Sequence, residues 1–146
     1  MKHLLSALFL CACSALLASA QARPLVPAEQ RDSAYSGLLP FCDHSSVLGE
    51  IEGEFRRREG AYWSSGLGIV GFQNMQEIGY RPTGVDYTPR RYCHAVVFMS
   101  DRKVRDISYS IVERDGLIGF TWGTEWCISG LDRNYAFGID CRSARP

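Results

Sequence analysis

The residues of this 146-residue chain that could do chemistry are its cysteines, its histidines, a few acids and a set of arginines near tryptophan. Cys11 and Cys13 fall in an apolar first segment, and Cys42, Cys93, Cys127 and Cys141 are spread over the rest. The nearest two of those four are 14 positions apart, so there is neither a C-x-x-C redox motif nor a close zinc-ligand pair. His44 and His94 are 50 positions apart, and neither has a Cys or Ser neighbour in a nucleophile–base arrangement. No metal and no cofactor is expected. Glu125, Asp132 and Asp140 could supply paired acids, because glycoside cleavage needs two carboxyls about 5 Å or about 6.5–9.5 Å apart across a cleft. Trp126 falls near a strand end beside Arg105, with Arg102 and Lys103 around a turn and Arg133 and Arg142 further on. A tryptophan rimmed by arginines has the composition of an interface hot spot, and the ring and Arg105 could form a cation–π pair.

Gly66-Leu67-Gly68-Ile69-Val70-Gly71 spells G-x-G-x-x-G. The dinucleotide motif needs a strand before it and a helix after it. The order here is the reverse, so these glycines are expected to open a turn and to let the helix approach the sheet closely.

Lys plus Arg number 16 and Asp plus Glu number 16, with 46% hydrophobic and 22% charged residues. That composition suits one folded domain and excludes a disordered charged tail. A balanced charge also argues against nucleic acid as a partner, since a phosphate lattice calls for basic excess.

Residues 1–22 have the three parts of a secretory signal peptide: Lys2 and His3, an apolar run Leu4–Ala20, and Ala20-Gln21-Ala22 as the cleavage site. A retained anchor needs about 20 apolar residues, and the run here is 17. A lipoprotein reading, with Cys13 as the lipid acceptor, is the alternative. No membrane span is expected after cleavage. The mature chain keeps 15 basic and 16 acidic residues and four cysteines, and an even number in an exported chain reads as two disulfides.

These residues need elements to position them. Residues 23–43 read as an extended leader and 44–146 as a single α+β domain. Val47, Leu48, Ile51 and Phe55 recur at helical spacing. Ser45 or Ser46 is expected to cap that helix and Gly60 to end it. Glu52–Arg56 and Glu54–Arg58 are i,i+4 pairs along it, and Arg56-Arg57-Arg58 reads as a solvated helix end, with a basic binding patch as the alternative. Strands are expected at 68–80, 91–99, 104–113 and 117–127. Asp115-Gly116 signals a two-residue hairpin, which sets Ile111 opposite Phe120, Tyr109 opposite Trp122, Ile107 opposite Thr124 and Arg105 opposite Trp126. Asp106 then faces Glu125. A second two-residue turn at Asp101-Arg102 sets Val96 opposite Ile107 and His94 opposite Tyr109, which makes His94 a core histidine.

The expected fold is one helix packed on a four-stranded antiparallel meander. Between residues 44 and 127 this element order resembles the cystatin-like or monellin-like arrangement. The Q-x-V-x-G loop of cystatins is absent, so the resemblance does not imply protease inhibition. The segment from Arg90 to Arg142 is similar to small exported proteins of alphaproteobacteria, which implies export and no particular activity.

The expected registers bear on the disulfides. Cys93 falls opposite Ser110, which falls opposite Thr121, and Cys127 is then about 20 Å further along. A disulfide needs Cα atoms within about 7 Å. This leaves Cys127–Cys141 with Cys42–Cys93, which is preferred, or Cys42–Cys127 with Cys93–Cys141. The functional expectation is a periplasmic or secreted, non-enzymatic module that binds a protein or envelope polymer through Trp126, Arg105, Arg102, Lys103 and Arg133. A small envelope-directed hydrolase using acids near Glu125 and Asp132, and an apolar-ligand carrier, are the alternatives.

Overall fold

The computed structural model describes residues 35–82 and 88–146. The expected signal peptide, Cys11, Cys13, residues 23–34 of the leader and the turn residues Thr83 and Gly84 lie outside the described residues. One α-helix, α1 (Ser45–Arg58), precedes four strands: β1 (Ile69–Arg81), β2 (Arg90–Met99), β3 (Val104–Val112) and β4 (Gly123–Ile128). The strands form one antiparallel sheet in the order β1-β2-β3-β4. The fold is therefore α+β, one helix on a four-stranded meander.

The apolar stripe of α1 does what its spacing dictates. Val47, Ile51 and Phe55 are buried against Ala95, Val97, Ile107, Tyr109 and Ile111 of the sheet. The helix begins one residue earlier than a serine cap allows: His44 is the N-cap, its Nδ1 accepting from Ser46 N at 3.3 Å. Nor does it stop at Gly60. A π-helical turn, Glu59–Trp63, continues it until Ser64 adopts a left-handed φ of 47°. Glu52 bridges Arg56, and Glu54 bridges Arg57 at 2.5 Å and Arg58 at 3.8 Å.

Both expected hairpin registers shift. Between β2 and β3 the ladder pairs Ala95 with Ile107 and Cys93 with Tyr109, one residue from expectation. Met99 N donates to Lys103 O at 3.0 Å, and Arg102 has φ 65°. This is a three-residue loop with a left-handed last residue, a common hairpin geometry. An odd slip exchanges faces, so Cys93, Ala95, Val97 and Met99 line the core. His94 goes to the opposite face, 3.5 Å from Asp106. Between β3 and β4 the slip is four residues: Tyr109 pairs with Trp126, Ile107 with Ile128 and Ser110 with Glu125. An even slip keeps every residue on its expected face, so apolar alternation cannot detect it. It buries Ile128 and lengthens the connection to residues 113–122. That loop is closed by Gly116 N to Thr121 O at 2.9 Å, with a 3₁₀ turn at Leu117–Gly119. Phe120, expected opposite Ile111 on the apolar face, is consequently 86% exposed, whereas Trp122 still packs against the core edge.

The disulfides are Cys42–Cys93 and Cys127–Cys141, with Cα separations of 5.8 and 5.6 Å. The preferred pairing stands, but its reason changes. Cys127 is opposite Ser108 and Cys93 opposite Tyr109, so the two lie at nearly the same height along the sheet. They are kept apart by facing opposite sides, Cys93 toward α1 and Cys127 toward a second cluster with Cys141, Ala144 and Phe137. The C-terminal tail therefore covers part of the face that α1 does not. It reaches as far as β1, where a Cβ built on Gly79 would stand 3.2 Å from Pro146.

The described part of the leader, from Tyr35, is tied down. Ser36 N and Gly37 N donate to the Glu113 carboxylate at 2.7 and 2.8 Å. Tyr80 Oη donates to Gly37 O, and Tyr109 Oη to Cys42 O at 2.7 Å. Arg91, buried on the helix side of β2, bridges Glu77 and lies 4.1 Å from the Tyr80 ring centre. Partial burial opposes the charge on Glu113, but the hydrogen bonds from Ser36 and Gly37, with Arg114 nearby, outweigh it and hold its pKa below the usual carboxylate value. Burial pushes the Tyr109 hydroxyl pKa up. The glycines of residues 66–71 do not bring helix and sheet together. Gly66 supplies a φ of 65°, and a Cβ built on Gly66, Gly68 or Gly71 meets nothing within 4 Å.

Candidate binding recess

Of the expected binding set, the structure brings together Trp126 and Arg133. They line a recess of about 110 Å³ with Phe55, Arg58, Glu59 and Trp63. Each wall has a local cause. Trp126 reaches it from β4 on the helix side of the sheet, 8% exposed, its ring 5.7 Å from that of Phe55. Arg58, the last residue of α1, carries its guanidinium 4.7 Å from the Trp126 ring centre. The cation over Trp126 is therefore Arg58 rather than Arg105, and Trp126 is a floor rather than an exposed anchor.

The π turn supplies the next wall. It turns Glu59 inward, 5% exposed, and leaves Trp63 at the rim, 44% exposed. Single π turns recur at functional sites because the wider turn re-aims side chains. Arg133 closes the site from the C-terminal loop. Its two terminal nitrogens each donate to Glu59 Oε2 at 3.1 Å, and its guanidinium lies 4.7 Å from the Trp63 ring centre. Ser65 Oγ also donates to Glu59. The loop that aims Arg133 is shaped by Asp132, whose two oxygens accept from Ala136 N at 3.0 Å and Phe137 N at 2.8 Å.

The remaining expected residues are elsewhere. Arg102 and Lys103 are exposed at the β2–β3 loop, and Arg105 pairs with Asp101 at 3.1 Å. Of the expected acids, Asp132 and Asp140 border one open groove beside Cys141, and Glu125 does not join them. Glu125 is bound by Arg90, which donates to its two oxygens, and Asp132 is occupied with backbone N–H groups. Glu125 lies opposite Ser110 rather than Asp106. The space between α1 and the sheet is filled by Val47, Ile51, Phe55, Ala95, Val97 and Ile107, all buried. Among the described residues no group of three or more His, Cys, Asp and Glu could hold a metal ion, and no helix is long and apolar enough to cross a membrane.

Sequence reasoning missed Glu59 and Trp63 and set Arg58 aside with the solvated helix end. Arg58 was hidden by its neighbours: Arg56 and Arg57 do face solvent and pair along the helix. The usable signal was Trp63, a large aromatic just beyond the expected helix end where a solvated terminus needs none.

Chemically, the recess offers two arginine–indole stacks and one carboxylate already neutralised by Arg133. Stacking holds each guanidinium plane in place while leaving N–H groups for an acceptor on a partner. Comparison of the chain with protein-family models, curated proteins and solved structures finds no match.

Proposed function

We infer that the chain is an exported, disulfide-stapled, non-enzymatic module that binds a protein or envelope polymer in the periplasm, and that the recess at Trp63, Arg133 and Arg58 is its contact site. The observation that carries this reading is the half-exposed Trp63 ring held against Arg133, which is itself locked on buried Glu59. A preordered aromatic–arginine pair beside a shallow recess gives up little conformational entropy on binding, as interface hot spots require. About 110 Å³ is well below the roughly 300–1,000 Å³ of a site that encloses a drug-sized ligand. It suits one side chain or one sugar of a larger partner. Export is supported by the two disulfides and by the form of residues 1–22.

The test is retention of periplasmic proteins and of cell-wall material by the immobilised, oxidised protein. The wild type should hold a partner that Trp63→Ala releases and that Phe98→Ala, at an exposed position on the other face of the sheet, still holds. Equal retention by wild type and Trp63→Ala, or none by either, contradicts the assignment.

A further inference from the structure

We propose that the Cys127–Cys141 disulfide is the redox switch of the recess: when a dithiol reduces it, the loop that carries Arg133 leaves Glu59 and the contact surface is lost. The proposal rests on the reading of that recess as the contact site. The bond closes a loop with a sequence separation of 14. Asp132, Arg133, Asn134, Ala136 and Phe137, all inside that loop, form one wall of the recess. The opposite wall, Phe55, Arg58, Glu59 and Trp63, belongs to α1 and the π turn. The recess therefore exists only while the loop is held against the helix end.

The far end of that loop depends on the bond. Cys127 and Cys141 share their cluster only with Ala144 and partly buried Phe137. Three non-glycine residues of the loop hold left-handed backbone, Tyr135 at φ 53°, Asp140 at 51° and Cys141 at 58°. Residues with a Cβ avoid that region, and such conformations persist only where the surroundings enforce them. At Asp140 and Cys141 the disulfide is that enforcement, so the reduced loop gains by relaxing.

The other disulfide is built differently. Cys42 and Cys93 both belong to the large core, Cys93 is paired with Tyr109 in the ladder, and Tyr109 Oη donates to Cys42 O at 2.7 Å. The fold holds these two thiols together even when reduced, which favours the bond. The thiols of Cys127 and Cys141 separate once the tail relaxes, so this pair is the more reducible one. Its sulfurs are buried, and attack follows local opening of the tail. Cys141 borders the open groove at Tyr135 and Asp140, the side from which a thiolate arrives. One thiolate of the dithiol attacks the Cys141 sulfur, and Cys127 leaves as a thiolate and takes up a proton. The second thiolate then attacks the reductant's own sulfur in the mixed disulfide. Cys141 leaves and is protonated in turn, and the dithiol departs as a disulfide, two electrons having passed to the protein.

The test titrates the oxidised protein with dithiothreitol and blocks free thiols with iodoacetamide before peptide mapping. Cys127 and Cys141 should be labelled at a dithiothreitol concentration about ten-fold below that which opens Cys42–Cys93. Amide exchange of the singly reduced protein should show protection lost over residues 132–141 and kept over α1. Arg133→Ala and Glu59→Gln should be coupled in the oxidised protein and uncoupled in a Cys127→Ser/Cys141→Ser background. The proposal is overturned if Cys42–Cys93 opens first or both pairs open together, if residues 132–141 stay protected after reduction, or if the coupling survives loss of the bond. None of these readouts needs a partner, so they fail separately from the contact-site reading, which retention by the oxidised protein tests. A partner held by the oxidised wild type should be released when Cys127–Cys141 alone is reduced. Retention unchanged by that reduction overturns the switch and leaves the contact site standing.

Discussion

The two faces of the sheet are covered by different means. On one face α1 lays Val47, Ile51 and Phe55 onto strand residues that are equally buried, and the Cys42–Cys93 disulfide ties the entry of the helix to β2. On the other, the tail offers only Ala144 and partly buried Phe137 beside the Cys127–Cys141 pair. Burial of apolar area contributes roughly 25 cal/mol per Å², so the helix side has ample driving force of its own. The tail, with little apolar area to bury, depends on its covalent link. The lesson is functional too: that dependent tail leads back to Arg133, which completes the recess on the helix side.

The comparison can be broken hardest at the helix. Phe55→Ala should cost about 3–5 kcal/mol, since it empties the center of the large core, and thermal melting in the oxidised state measures it. Removing Cys42–Cys93, with a sequence separation of 51, should cost about 4 kcal/mol in the chain-entropy model. Removing Cys127–Cys141, with a separation of 14, should cost about 3 kcal/mol globally. Denaturant titration of the two double-alanine variants ranks them.

Arg133→Ala should cost about 2 kcal/mol, because it leaves the buried Glu59 carboxylate without its bidentate partner. Adding Glu59→Gln should recover part of that loss, which the double-mutant cycle reads directly.

The smallest effect belongs to the strap. Glu113 has a folded pKa below its unfolded value. Its contribution is present above the ordinary carboxylate range and is lost as the pH falls through the folded value. Glu113→Gln should therefore destabilise by about 1 kcal/mol at neutral pH and flatten the acid limb of the stability curve.

The architecture was legible because its signals are local and periodic. The stripe Val47, Ile51, Phe55 and the alternation in β3 need only the geometry of a helix or a strand. The register between β3 and β4 was legible only as far as parity. An even slip between β3 and β4 left every face unchanged, so the pattern of Ile107, Tyr109 and Ile111 could not reveal that Phe120 leaves the core. The odd slip between β2 and β3 came from a single extra loop residue, and it moved His94 out of the core and Cys93 in. The recess was half legible. Trp126 and Arg133 stood out by composition, but Glu59 and Trp63 are brought to them by a π turn, which has no periodic signature of its own. The arginine over Trp126 follows from tertiary packing of a helix end, and spacing along the chain cannot supply it.

Amide hydrogen exchange of the double variant Cys127→Ser/Cys141→Ser tests the unequal covering of the two faces most directly. Protection should be lost over residues 129–146 and kept over α1 and the β2–β3 ladder. Loss of protection across α1 and β2–β3 as well would contradict the account, because it would show that the tail and its disulfide, rather than the helix-side core, hold the sheet together.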